Sequence, residues 1–368
     1  MSGRIVLLGA TGYTGGLVLG AMLRRGLRPT VAGRDGAALA GLAEGADGLE
    51  FAVVDAADAA EPGPLRRLLR PGDVLVSTVG PFELLGYPVA RAAAESGAHY
   101  LDSTGEIGFV RALHHRLDGP ARESGAVLVP AFAYDFVPGN LAGALAAVQG
   151  GEAVRALDIG YFATGSLRRG LSRGTRSTMR AGLTLPSPRW HGHRLVEQRT
   201  ASAVRAFTVG GRRRNAVLVS GTEVVFLPAD IPSLDEVTVY NGWFPELSHP
   251  TNMLSATAEC LTRFHRGRRL IGALSNRPIG GPPDPDAAER GRTRSHVVAV
   301  ASAGGRPLAE VHLEGPSIYD LTAELLAWAA EELARGGGRR AGVVGPIEAF
   351  GLEPLRQGCA GVGLVEQV

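Results

Sequence analysis

The 368-residue sequence predicts an α/β protein, a doubly wound parallel sheet followed by a second α+β domain built on a mostly antiparallel sheet. Three observations carry this prediction. Short apolar runs alternate with helical stretches over the first 150 residues. A glycine-rich loop follows the first of those runs directly and opens the first helix. Beyond about residue 154 the pattern changes to β-rich runs separated by short glycine or proline turns.

In order, strands are expected at 4–8, 29–32, 51–54, 74–77, 99–101 and 126–129. Helices are expected at 14–25, closed by Gly26, at 65–69, at 88–96 with Gly97 as its C-cap, and at 111–123. Strands alternating with helices imply a Rossmann-type sheet. In the second half, strands are expected at 203–209, 216–219, 223–227 and 236–240, a helix at 252–264, and a loop rich in Pro, Gly and charge at 276–294. A hairpin, 295–301 with 308–313, turns at Gly304-Gly305, and an amphipathic helix spans 319–333. The expected division is a Rossmann dinucleotide-binding domain over 1–150 and a substrate and dimerisation domain over 151–316, with 317–368 packing back on the first.

Composition narrows the function classes. A net charge of +2 gives no field directed at nucleic acid or anionic membranes. Arg212-Arg213-Arg214 and Arg339-Arg340 read as solvated loop charges. Cys260 and Cys359 form no disulfide framework, and neither has a second ligand at zinc spacing, so no metal is expected. The N-terminus does not read as a signal peptide, and no apolar run reaches the roughly 18 residues of a spanning helix. A cytoplasmic protein without an integral membrane segment is expected. There is no lysine, and all 38 basic residues are arginine. That excludes Schiff-base chemistry, a P-loop lysine and a Tyr-x-x-x-Lys pair.

The loop Gly9-Ala10-Thr11-Gly12-Tyr13-Thr14-Gly15 has the spacing G-x-x-G-x-x-G. Gly9 permits a tight turn out of the strand, Gly12 lets backbone approach a pyrophosphate, and Gly15 allows helix to pack on strand, with amides of the helix N-terminus facing the anion. Thr11, Tyr13 and Thr14 lie in the same loop. The second strand ends Val31-Ala32-Gly33-Arg34-Asp35. An acid there binds the ribose 2′-hydroxyl of NAD, whereas an arginine accommodates the 2′-phosphate of NADP. Arg34 comes first and follows a glycine, which favours NADP(H). The alternative is a surface Arg34 with Asp35 capping the next helix. Asp55, after the third strand, is placed to meet adenine or to serve as an ordinary loop aspartate. Ser77-Thr78-Val79-Gly80-Pro81-Phe82 follows the fourth strand and is expected beside the nicotinamide, with Phe82 either covering that ring or in the core. Asp102, Thr104 and Glu106 bring polar groups to the fifth strand's ligand edge, unless Ser103 or Thr104 only caps the helix that follows.

These segments, with Ala131-Phe132-Ala133-Tyr134-Asp135-Phe136-Val137-Pro138, resemble the saccharopine dehydrogenase-like family in its shorter form, which includes saccharopine reductase-like proteins and trans-acting enoyl reductases. The resemblance continues weakly through Gly174-Thr175, Tyr319–Ala323 and Ala349-Phe350-Gly351. It implies NADP(H) in a Rossmann domain and an α/β domain covering an active-site cleft, with Arg34 at the 2′-phosphate. Where the family often has Gly-Phe-Asp-Ser-Val-Pro-Ser-Asp, this chain has Phe136 in place of a small polar residue and Gly139-Asn140 in place of Ser-Asp.

Hydride transfer asks the protein mainly to place nicotinamide C4 against the acceptor carbon. An imine, enoyl or carbonyl acceptor also wants a nearby acid. Tyr134 and Asp135, after the sixth strand, are the candidate catalytic residues, Tyr134 being equally readable as a core aromatic. Arg169, Arg173, Arg176 and Arg180 fall at helical spacing and would suit a substrate anion, or a solvated helix face. Two readings stand. One is an NADP(H)-dependent reductase of a small or carrier-linked metabolite, in a biosynthetic setting. The other is a non-catalytic NADP(H)-binding sensor or scaffold.

Overall fold

The structure, a computed structural model, describes residues 3–58, 63–165, 171–172, 174–176, 179, 185–262 and 283–367. The arginine row at 169–180 lies outside the described residues except for Arg176, as does the first part of the expected loop, 276–282. By its internal contacts the chain divides into two units: Met1–Val137 with Tyr319–Val362, and Pro138–Ile318 with Gly363–Val368.

The first unit begins with β1 (Ile5–Leu8), α1 (Tyr13–Arg24), β2 (Thr30–Gly33), α2 (Gly36–Gly45), β3 (Phe51–Val53), α3 (Pro64–Leu68), β4 (Val74–Ser77), α4 (Phe82–Ser96), β5 (His99–Asp102), α5 (Ile107–Ser124) and β6 (Val127–Val129). β1, β2 and β4 are buried along their whole length, as unbroken apolar strands of a covered parallel sheet must be. The helix expected at 88–96 starts earlier, at Phe82, and keeps Pro88 inside it. Gly97 and Gly125 end α4 and α5 in the left-handed conformation, at φ of 71° and 79°.

The second unit follows with α6 (Val137–Gly150), β7 (Ala156–Thr164), β8 (Pro186–His191), β9 (Leu195–Arg199), β10 (Val204–Val209), β11 (Arg212–Val219), α7 (Glu223–Asp230), β12 (Glu236–Asn241), α8 (Ser248–Thr262), α9 (Ala287–Gly291), β13 (Arg294–Ala303) and β14 (Arg306–Gly315). Residues 223–227, expected as a strand from their β-branched content, form a helix instead. In this unit the helix buries Val224, Phe226 and Leu227, and a Cβ on Gly143 of α6 would lie 2.7 Å from Leu227. Tertiary packing therefore overrides local β propensity here. Arg212–Arg214 lie on strand β11 rather than in a loop; Arg212 and Arg213 are exposed, but Arg214 is partly buried.

The chain then returns to the first unit with α10 (Ile318–Ala334), β15 (Gly342–Val343), α11 (Pro346–Phe350) and α12 (Leu352–Gly361), and ends in the second with β16 (Val365–Gln367). The last residues thus pair with β14 within the second unit.

In the first unit the parallel strand order is β15-β6-β5-β4-β1-β2-β3. The order reverses at β1, between β2 and β4, which is where such sheets open a ligand crevice at their carboxyl ends. One face packs α3, α4 and α5 through Leu65, Phe82, Val89, Phe109, Leu113 and Leu117. On the other, α1 is tied to α10 by ion pairs Arg24–Glu324 at 2.7 Å and Arg25–Glu331 at 3.2 Å. In the second unit β7 is central, parallel to β12 and antiparallel to β13. The strand path runs β10-β11-β12-β7-β13-β14-β16, and the β8–β9 hairpin joins β12. This sheet coils enough that β10 approaches β13, with Phe162, Phe207, Leu218, Tyr240 and Val298 filling the concave face.

Candidate functional site

The glycine loop is built by three different constraints. Gly9 has φ of +91°, a left-handed backbone that glycine adopts without strain, and a Cβ there would meet Thr78 Oγ1 at 2.7 Å. Gly15 is buried, and its Cβ would fall 2.0 Å from the Gly9 carbonyl oxygen, so α1 presses directly on the turn. Gly12 is exposed at the N-cap of α1, and a Cβ there would meet only the Gly9 oxygen, at 3.3 Å. A side chain at Gly12 would therefore fill the open space over the helix N-terminus. That helix has neither a side-chain cap nor an acid in its first turn. The cradle fits a dinucleotide pyrophosphate, because open amides and the positive end of the helix dipole both face an anion.

Thr11 is exposed beside it, and Thr14 is half-buried. Tyr13 opens α1, and its ring meets Tyr319 edge-to-face at 5.3 Å. At the end of β2 the two neighbours separate in role. The Asp35 carboxylate accepts the Ala38 amide at 3.0 Å as the N-cap of α2. Arg34 is exposed. The cap read as an alternative for Asp35 is therefore present, and both residues stay exposed. Asp55 is exposed and accepts the Ala57 amide at 2.9 Å.

The loop after β4 is clamped from both sides. Thr78 Oγ1 donates to the Leu8 carbonyl at 3.2 Å and reaches the Gly9 carbonyl at 3.3 Å. Val79 is half-buried, Gly80 and Pro81 are exposed, and the peptide joining them is cis. Phe82 is only 6% exposed and packs on Phe109 with centroids 5.8 Å apart. Of the two readings of Phe82, this packing is the core one, where apolar contact holds the ring.

Asp102 is fully buried, and its Oδ1 accepts the amides of Thr104 at 2.9 Å and Ala131 at 2.8 Å. Its backbone carbonyl takes the Phe132 amide at 2.8 Å. Asp102 therefore braces two loops. Burial raises its carboxyl to about 6, against the pull of those two amides. Thr104 accepts the Glu106 amide at 3.1 Å. The Glu106 carboxylate reaches across to accept the amides of Phe82 at 3.1 Å and Glu83 at 2.8 Å, capping α4 from another loop.

Beyond β6, Ala131 sits at φ of +58°, an uncommon backbone for a residue with a Cβ. The brace from Asp102 holds it there. Tyr134 is 1% exposed, and its amide donates to Thr322 Oγ1 at 3.1 Å. The core reading of Tyr134 thus fits its burial, and a freely accessible phenol does not. Asp135 keeps part of its surface, and burial of the rest raises its carboxyl to about 6. Of the two catalytic candidates, Asp135 is the less buried residue. His99 accepts the Val127 amide at 3.0 Å, a structural use.

One polar group went unread in the sequence. In the second unit Glu223 is fully buried, and Tyr161 donates to it at 2.5 Å while accepting the Gly139 amide at 2.9 Å. A Cβ on Gly139 would meet both side chains at 2.1 Å. Glycine at 139, in place of the family's serine, was the available signal.

Residues 5–128 match the family model described as the saccharopine dehydrogenase NADP binding domain. Among curated proteins, the chain is 33% identical over 149 residues to a probable mitochondrial saccharopine dehydrogenase-like oxidoreductase of Arabidopsis thaliana, covering 37% of this chain and 33% of that protein. It is 33% identical over 144 residues to a trans-acting enoyl reductase of Mycobacterium tuberculosis, covering 37% of this chain and 34% of that protein. The alignments span about a third of the length of these relatives. Among solved structures, apo saccharopine dehydrogenase (L-Glu forming) from Saccharomyces cerevisiae superposes with a TM-score of 0.63 at 12% identity, covering 99% of both chains. Homospermidine synthase from Legionella pneumophila, in complex with NAD, gives 0.62 at 11% identity over 100% of this chain and 91% of that one. The structural likenesses show the fold over the whole chain, and the match to the family model covers its first third.

Proposed function

We propose that this chain, a member of the saccharopine dehydrogenase-like oxidoreductases through the NADP binding domain at residues 5–128, is an NADP(H)-dependent reductase of an imine, enoyl or carbonyl group. The substrate in this reading is a small or carrier-linked metabolite. The observation that carries it is the split at the end of β2, where Asp35 is spent on the cap of α2 and Arg34 stands exposed. An acid occupied by its own backbone is a poor ribose ligand, and an exposed arginine suits a 2′-phosphate. Gly9, Thr11, Gly12, Tyr13, Thr14 and Gly15 would hold the pyrophosphate. Thr78, Val79, Gly80 and Pro81 would line the nicotinamide side, and Asp55 would face adenine. When bound, the cofactor supplies the hydride. Asp135, raised to about 6 by burial, is the group in this reading that holds or releases a proton near neutral pH.

The test is cofactor discrimination with the full chain. Arg34→Ala should weaken NADPH binding by about 10–100-fold, as expected for loss of a charge-assisted pair, and leave NADH nearly unchanged. Equal losses for both cofactors would refute the phosphate contact. NADPH oxidation with a panel of imines, enoyl thioesters and aldehydes then separates the reductase from the sensor. Tight binding without turnover on any of them would favour the sensor.

A further inference from the structure

The two units differ sharply in charge. Counted over the whole sequence, the second holds 22 arginines against 15 aspartates and glutamates, net +7, whereas the first holds 16 against 21, net −5. Part of the excess lies on the concave face of the second sheet. Arg205 pairs with Ala216, and Phe207 with Arg214, so strand alternation sets Arg205, Phe207, Arg212 and Arg214 on one face. Leu218 pairs with Tyr240, and Thr238 with Asp158, which carries the same face through β12 and β7. On β8, His191 pairs with Glu236, so Arg189, two residues away, faces the same side as Glu236 and Tyr240.

The floor is aromatic. Phe207 meets Phe162 and Tyr240 edge-to-face, each with centroids 5.6 Å apart. The Arg205 guanidinium lies 5.3 Å from the Phe207 centroid. The β8–β12 register sets Arg189 level with Thr238, two residues from Tyr240 on the same face, and Arg205 and Arg189 both oppose the upward shift that burial and the Asp158 carboxylate give the Tyr240 phenol.

Asp158 is paired with Arg205, while Glu236, Glu310 and Glu314 each lie against a histidine, His191 at 3.1 Å, His312 at 2.9 Å and His296 at 3.8 Å, contacts that are ion pairs only when the ring is protonated. Arg189 and Arg214 have no carboxylate partner among the described residues, and the Nε of each is buried without an acceptor. The stretches 166–184 and 263–282 contain no Asp or Glu, so they bring no carboxylate either. Buried donors are rarely left unmatched, and a guanidinium fork is shaped for a two-oxygen anion.

We propose that this concave face is an anion-binding site, in which Arg189 and Arg214, flanking the Phe207–Tyr240 pair, take a carboxylate or phosphate group borne on an apolar or aromatic body. The site belongs to the second unit and does not depend on the cofactor reading.

Calorimetric titration of the full chain with inorganic phosphate and, separately, with hexanoate tests it. Saturable binding of either is expected, and it should weaken at least tenfold in the double variant Arg189→Gln, Arg214→Gln. Arg213→Gln, exposed on the opposite face, should leave binding unchanged. Binding of phosphate alone assigns a phosphate ester, and binding of hexanoate alone a carboxylate. Should the double variant not melt cooperatively, Arg214→Lys keeps the charge but loses the fork, and should still weaken binding. No saturable binding of either ligand, or equal affinity in the variant, overturns the site.

Discussion

The ends of β2 and β5 each present an aspartate at the ligand edge of one sheet, and the two do opposite things. Asp35 stays exposed and accepts one amide three residues along, a local cap that closes without tertiary help. Asp102 is fully buried and joins amides from positions 104 and 131. The first leaves its neighbour Arg34 exposed. The second fixes the loop that carries Tyr134 and Asp135. An aspartate at a strand end is therefore a poor indicator of ligand contact until its own amide partners are known.

The largest effect that would break this comparison comes from Asp102→Ala. It leaves two buried amides without an acceptor, and should cost roughly 2–4 kcal/mol in chemical denaturation. A loss below about 1 kcal/mol would mean that the brace is dispensable. Next is pH. Asp102 stands at about 6 in the fold against an ordinary 3.8. Between those values the folded chain holds a proton that the unfolded chain has released. Its contribution is complete below about pH 4 and is lost as pH rises through 6, a change on the order of 3 kcal/mol. Asp102→Asn should flatten that part of the stability profile. Asp135 shifts in the same direction, so a slope should remain. An unchanged profile in Asp102→Asn would show that its carboxyl is not the titrating group. The smallest effect is Asp35→Ala, about 1 kcal/mol of stability for a lost cap, with NADPH preference retained. A switch in cofactor preference would place Asp35 in the ligand site and undo the contrast.

Most of the first unit was legible because its signals are short-range. Four-residue aliphatic runs, glycine C-caps at 97 and 125, and the spacing of Gly9, Gly12 and Gly15 each act within a turn or two of chain. The helix at Gly36–Gly45 gave no apolar stripe, being mostly alanine and glycine, and appeared only as the helix that Asp35 caps. The burial of Phe82, Asp102 and Tyr134 was not legible, since it depends on partners at positions 109, 131 and 322. The same limit explains residues 223–227, whose β-branched run forms a helix, and Arg214, whose tripeptide looks like loop charge until strand pairing sets it opposite Phe207.

Glu106 holds the start of α4, Asp102 holds the loop after β6, and Thr104 links the two within four residues. Three loops at one edge thus share a single set of acceptors, so their lengths are not independent. Inserting a residue between 102 and 106 would shift the Glu106 carboxylate off the α4 amides relative to Asp102, which holds Ala131. A side-chain exchange at an exposed position such as 80 leaves these acceptors in place, whereas a change of loop length does not.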